Sequence, residues 1–273
     1  MNLHEDALEI LQRTSRTFYI PISCLPSELQ AAVASAYLCM RAIDEIEDHP
    51  DLHRSIKVKL LQTISFCLQA QRADANVLDE LSVSLDRQSL SLAEVTIRIG
   101  EWAKLAPEAI APRICDATAA MADRMANWVS CNWEVNTEVD LDRYTFGVAG
   151  AVGLLLSDLW AWYDGTQTNR AHAVGFGRGL QAVNILRNRN DDLVRGVNFF
   201  PVGWNTETMQ RYARRNLVLA DTYTQSLPKG PALVFCQIPL ALAHATLDIL
   251  AEGKEKLSRS DVVAVIEEVT SSK

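Results

Sequence analysis

The sequence predicts an all-α protein, and three observations carry that reading. Apolar residues recur at helical spacing through nearly the whole chain, strand-like alternation is scarce, and the connections are short and punctuated by proline and glycine. Leu8, Leu11, Phe18 and Ile20 place a first helix at the N-terminus, stopping at Pro21 and Pro26. A second begins at Ser27-Glu28 and runs through Ala31, Ala34, Leu38 and Ala42. It ends near Asp48, because Pro50 disfavours helix in the residue before it. Apolar-periodic segments follow at 54–73, 76–86, 89–103 and 108–135, then at 140–164, 168–194, 205–227 and 231–253. A last short helix starts from Ser258, a plausible N-cap. Pro107, Gly165, Pro201, Gly203 and the Pro228-Lys229-Gly230-Pro231 turn separate these segments. No repeat, linker or low-complexity stretch divides residues 1–273, so a single domain is expected.

Composition narrows the function. Hydrophobic residues make up 48% of the chain and charged residues 22%, enough to build a sizeable core. The formal net charge is −8 with no Lys/Arg-rich block, which argues against nucleic acid as the main partner. The six cysteines (24, 39, 67, 115, 131 and 236) form no CxxC pair and have no histidine at zinc-like spacing. They read as buried, reduced thiols of a cytoplasmic protein. The N-terminus, Met1 to Asp6, is acidic and polar, unlike a signal peptide. No apolar run reaches the ~18 residues of a membrane span. Val148–Leu156 comes nearest and is interrupted by Ser157 and Asp158, so a soluble chain with no transmembrane segment is expected. Oligomeric state is not readable.

Two acidic stations carry the chemistry. In the first, Tyr37, Arg41, Asp44 and Asp48 are spaced by four, three and four residues and therefore share one helical face. Two carboxylates one turn apart suit a hard cation such as Mg²⁺, which takes few protein carboxylates and completes its shell with water and phosphate. The other reading is a solvated acidic helix end, but the preceding Ala-Tyr-Leu-Cys-Met stretch reads as buried. The second station lies about 140 residues later, where Gln181, Asn184, Asn188 and Asp192 share a face and Arg187, Asp191 and Arg195 form a neighbouring stripe. Such groups on an apolar helix either pair internally, as a ladder, or face a polar ligand. Between the stations, Gly147, Gly150 and Gly153 open a smooth helical stripe, suited to close helix packing and compatible with a flat wall for a long apolar chain.

Taken in order, these segments resemble the squalene/phytoene synthase family. Ser15-Arg16-Thr17-Phe18 is similar to its N-terminal Ser-Arg/Lys-x-Phe signature, and Arg41 to Asp48 to its first Asp-x-x-x-Asp motif. Tyr144 to Gly153 is similar to its Tyr-Cys-x-x-Val-Ala-Gly-x-Val-Gly segment, and Gln181 to Arg187 to the lead-in of its second acidic motif. Arg195-Gly196 and Phe199-Phe200-Pro201 echo the ending of that motif. The resemblance implies a single-domain isoprenoid-synthase helical bundle around a central apolar cavity, with both acidic faces turned to it. The implied reaction joins two allylic prenyl diphosphates, farnesyl or geranylgeranyl, head to head with Mg²⁺.

By the same resemblance Asp44, Asp48, Asn188 and Asp192 are metal stations, with Asp191 as a substitute. Ser15, Arg16, Arg41 and Arg187 would contact diphosphate, with Phe18 beside them. Tyr37 and Tyr144 would stand near the reacting carbons, and Gln181 and Asn184 would line the same end. NADPH, used by the squalene branch, has no signature here, although the wording of the motifs leans toward that branch. Peripheral membrane contact for release of an apolar product is compatible with the family. One departure falls on the chemistry: Asn188 stands where the family has aspartate. A working site with shifted ligands, a different diphosphate reaction on a single substrate (cyclisation or hydrolysis), and a member that binds without turnover all remain open.

Overall fold

The structure is a computed structural model that describes residues 2–71, 74, 76–87 and 90–271, without the side chain of Arg16. Among the described residues there are fourteen α-helices, one π-helical turn and no strand. This agrees with the predicted class. The chain divides into two compact units, Met1–Asn132 and Trp133–Lys273.

The first unit holds α1 (Leu3–Thr14), α2 (Arg16–Ser23), α3 (Ser27–Asp48), α4 (Arg54–Ala70), α5 (Val77–Arg87), α6 (Glu94–Ile97), α7 (Ile99–Lys104) and α8 (Ala111–Ser130). α3 is its axis and packs on α1, α4, α6, α7 and α8, with Leu38, Ile43 and Ile46 fully buried. The N-terminal helix differs from expectation. It breaks at Ser15, whose extended backbone (φ −153°) lets its side chain accept from the Phe18 N–H and start α2. Pro21 sits inside α2 and does not stop it, since only two further residues follow before the helix ends at Ser23. The helix expected over 89–103 begins at Glu94 and bends at Arg98. There the guanidinium bonds Asp6, Glu94 and Glu101 and lies 4.3 Å from the Trp102 ring centre.

The second unit holds α9 (Glu138–Thr145), the π-turn (Phe146–Gly150), α10 (Ala151–Asp164), α11 (Arg170–Val194), α12 (Thr206–Ser226), α13 (Pro231–Ala251) and α14 (Arg259–Ser271). α11 is its axis and packs on α9, α10, α12 and α13. Side-chain caps set the helix starts: Thr137 with Asp140 in a capping box, Asn169 and Asn205. Ser258 also behaves as expected, accepting from the Asp261 N–H at 3.2 Å. The glycine stripe serves close packing: a Cβ on Gly153 would lie 2.0 Å from the Ala173 carbonyl oxygen of α11. On the facing helix, a Cβ on Gly177 would lie 2.0 Å from the Ala149 oxygen. The π-turn was not expected, because one extra residue in a turn leaves the apolar pattern nearly unchanged.

One expectation needs correction. Glu138–Asp164 and Pro231–Ala251 are long and apolar enough to cross a membrane by length and composition, with mean hydropathies of 1.3 and 1.7. Neither is an uninterrupted apolar run, because isolated polar residues such as Gln237 and His244 break the run while hardly lowering a helix-long average. About half of the most apolar 18-residue window of each (56% and 50%) is buried within the protein, as in the core helix of a folded domain.

Candidate active site

The last two turns of α3 assemble the first station. Asp44, Glu47 and Asp48 each offer a carboxylate oxygen within 4.8 Å of the others. Glu47 is 5% exposed, whereas Asp44 and Asp48 are half-buried. Three hard oxygen donors converging in this way fit a divalent cation of the Mg²⁺ class. Arg41 lies one turn earlier, with Nη1 2.6 Å from Asp44 Oδ2 and its other terminal nitrogen on Glu45. Burial works against the guanidinium charge, but Asp44 and Glu45 outweigh it and hold the pKa of Arg41 above its ordinary value.

The N-terminal signature meets this face. The Phe18 and Tyr37 rings lie 5.4 Å apart, and Ser15, besides capping α2, hydrogen-bonds the Tyr37 hydroxyl. Burial pushes the pKa of that hydroxyl up, while the Ser15 bond and Arg41 pull it down. The side chain of Arg16 lies outside the described residues.

Two members of this neighbourhood escaped the sequence reading. Glu47 carries no expectation from the sequence, although its spacing of three from Asp44 places it on the same turn. Lys57 of α4 is 8% exposed and donates to the Glu47 carbonyl oxygen at 2.6 Å. No local pattern marks it, since the contact depends on how α4 approaches the end of α3.

The second station is arranged differently. In α11 the Asn184 Oδ1 accepts from Arg187 Nη2 at 2.6 Å and from Asn188 Nδ2 at 3.2 Å. Asn188 Oδ1 accepts from Arg187 Nε at 3.1 Å. Arg187 retains solvent exposure, yet desolvation by the surrounding protein lowers its pKa. Asp192 is buried and its Oδ1 meets Arg195 at 2.6 Å, whereas Asp191 is exposed and Gln181 half-buried.

Tyr144 lies in the last turn of α9 and is buried, its ring stacked on Phe199 with centres 4.4 Å apart. The turn that carries it is tied down by Tyr212, whose hydroxyl donates to Asp142 at 2.8 Å and lies 3.1 Å from the Thr145 hydroxyl. Burial pushes the Tyr212 pKa well above its ordinary value.

With both stations described, comparison with known proteins becomes informative. The sequence profile of squalene/phytoene synthases matches residues 11–211, which include both stations. The chain belongs to the squalene/phytoene synthase family. Squalene synthase of Eremothecium gossypii is 30% identical over 93% of this chain and 63% of its own length. Squalene synthase of Saccharomyces cerevisiae is 29% identical over 91% and 62%, and that of Homo sapiens 27% identical over 95% and 68%. The chain thus spans somewhat less than two thirds of the first two relatives. Among solved structures, a complex of TcSQS with the ligand E5700 superposes with a TM-score of 0.79 at 21% identity, covering 97% of this chain and 85% of that one. A dehydrosqualene synthase in complex with ligand gives 0.60 at 16% identity, over 99% and 96%. At these identities the structural likeness shows the all-α fold of the family.

Proposed function

We propose that the chain is a prenyltransferase that joins two allylic prenyl diphosphates, farnesyl or geranylgeranyl, head to head (1′–1), giving a squalene-, dehydrosqualene- or phytoene-type product. The observation that carries this is the convergence of Asp44, Glu47 and Asp48 beside Arg41 within the family-matched segment. Asp44 and Asp48 are assigned to hold Mg²⁺, with Glu47 as the third donor. Bound there, the ion would neutralise charge on the departing diphosphate.

The chain's own groups account for the rest. In the reaction, a C–O bond breaks with its electron pair going to the diphosphate, the double bond of the second substrate captures the allylic cation, and the cation so formed loses a proton as a cyclopropane closes. Arg41, Ser15 and Arg16 are assigned to the diphosphate of the first station, since paired guanidinium donors match phosphate oxygens. Tyr37 is kept protonated by its burial and can donate to a leaving oxygen. Tyr144, packed flat against Phe199, is assigned to the reacting carbons, with Gln181 and Asn184 at the same end. Phe18 supplies apolar surface that excludes water able to quench a cation. A cytoplasmic location with peripheral membrane contact for product release belongs to the same reading.

Asn188 favours a second reading, in which one prenyl diphosphate is cyclised or hydrolysed, or is bound without turnover. The deciding experiment is incubation with farnesyl or geranylgeranyl diphosphate and Mg²⁺, with and without NADPH, followed by mass analysis of the lipid products. A doubled-chain hydrocarbon or cyclopropyl diphosphate supports the condensation. Products with one prenyl chain support the second reading, and consumption of neither substrate refutes both enzymatic readings.

A further inference from the structure

The residues around the second station do not fit a metal as those of the first do. Across 37–48, Arg41 faces Asp44, Glu45, Glu47 and Asp48, a net charge of −3. Residues 184–195 carry three arginines (187, 189 and 195) and two aspartates (191 and 192), a net charge of +1. Three of the oxygens that would serve a cation there are engaged by donors. Asn184 Oδ1 and Asn188 Oδ1 both accept from Arg187, and Asp192 Oδ1 from Arg195.

The guanidinium has only donors, so it sets the orientation of both amides. Asn188 must turn its oxygen to Arg187 Nε, which leaves Nδ2 facing Asn184 Oδ1 at 3.2 Å. An aspartate at 188 would put a second oxygen where Nδ2 now lies, against an oxygen that accepts from Arg187. The ladder therefore requires the amide. It uses two of the five guanidinium N–H groups and leaves three for an anion. A neutral brace also leaves the arginine charge uncancelled, which a carboxylate brace would not.

We infer that the second station is an arginine-centred cradle that binds a diphosphate group directly, and that Asn188 is a positioning residue for Arg187 in place of a metal ligand. This rests on the diphosphate chemistry proposed above. It means that the chain holds its divalent metal at Asp44, Glu47 and Asp48, and that the second station grips phosphate oxygens without one.

Binding of inorganic pyrophosphate to the full chain, followed by calorimetry in EDTA and then with Mn²⁺, tests this, with bound Mn²⁺ counted by electron paramagnetic resonance. The wild-type chain should bind pyrophosphate in EDTA. Asn188→Asp should weaken that binding at least about tenfold, the lower end of what one charge-assisted hydrogen bond is worth, and should hold one more Mn²⁺ per chain when pyrophosphate is present. Asn188→Leu should weaken binding similarly and gain no Mn²⁺, and it decides the matter should the aspartate variant not fold. Pyrophosphate binding that requires Mn²⁺ overturns the inference and leaves the proposed function standing, as does an unchanged EDTA affinity in the variants. No binding with or without Mn²⁺ removes both.

Discussion

Replacing Lys57 by methionine probes the buried side of the first station. The ammonium lies at 8% residue exposure and bonds the Glu47 carbonyl oxygen at 2.6 Å. That carbonyl belongs to the last turn of α3, where main-chain oxygens lack a helical N–H partner. Methionine keeps most of the apolar stem and deletes the charge and the donor. The lost charge-assisted bond is worth about 1.5–3 kcal/mol, and the loss of a cation at a helix C-terminus adds about 0.3–1 kcal/mol. Relief of ammonium desolvation opposes both. Yet breaking a buried contact of a charged group generally costs more than the desolvation it relieves. The expected net loss is about 2–4 kcal/mol, or a fall in Tm of roughly 5–10 °C for a protein of this size. Differential scanning calorimetry in metal-free buffer at neutral pH measures it, and added Mg²⁺ should recover part of the loss by neutralising the carboxylates of the same turn. A Tm within about 2 °C of wild type would show that Lys57 does not pin the station.

Three further outcomes are expected. Asp48→Asn should reduce product formation by at least about a hundredfold, the upper end of what removing an outer partner of a metal costs, and should raise the Mg²⁺ concentration needed for activity. A wild-type Mg²⁺ activation curve would refute its assignment as a ligand. Gly153→Ala should destabilise by about 3 kcal/mol or more, because its Cβ would lie 2.0 Å from the Ala173 main-chain oxygen and the two helices must part. An unchanged urea midpoint would count against that packing. Burial pushes the Tyr223 pKa up from 10.0 to about 12, with bonds from Ser157 and Trp160 pulling the other way. The fold therefore retains a proton that the unfolded chain releases. Stability from this group is complete below pH 10 and falls as the pH rises from there through about 12, by about 2–3 kcal/mol. Tyr223→Phe should show a correspondingly smaller loss over that window in urea unfolding.

The helices were legible because their ends carry local chemistry. Ser258 caps α14 as its sequence context suggested, and α13 begins at Pro231, the last residue of the expected turn. Breaks inside periodic stretches were not legible. Ser15 and Arg98 each interrupt a helix at a single residue, and the apolar pattern on either side continues in phase closely enough to hide it. Arg98 bends the chain around partners as distant as Asp6, information that no local window holds. Much of the first station was readable from spacing alone, since Asp44 and Asp48 lie one turn apart on a helix that is apolar before them. Lys57 was not, because a buried lysine acquires its meaning only from the carbonyl it meets.

The second station shows a different limit. Residue types there named the candidates, but not which of them would be partners of one another. Asp191 was an obvious substitute for a missing carboxylate, being three residues from Asn188 and adjacent to Asp192. Successive residues on a helix point about 100° apart, and the surroundings separate these two further: Asp191 is exposed, while Asp192 is buried and held by Arg195. In α3 the carboxylates of Asp44, Glu47 and Asp48 converge within 4.8 Å. A cation repays the mutual repulsion of such a cluster, and nothing comparable awaits one between Asp191 and Asp192. The amide at 188 then has a use that a carboxylate would not, since it braces Arg187 without cancelling its charge. Restoring aspartate at 188 should therefore do more than return a ligand, because it also dismantles the brace, and the two effects move metal binding and metal-free pyrophosphate binding in opposite directions.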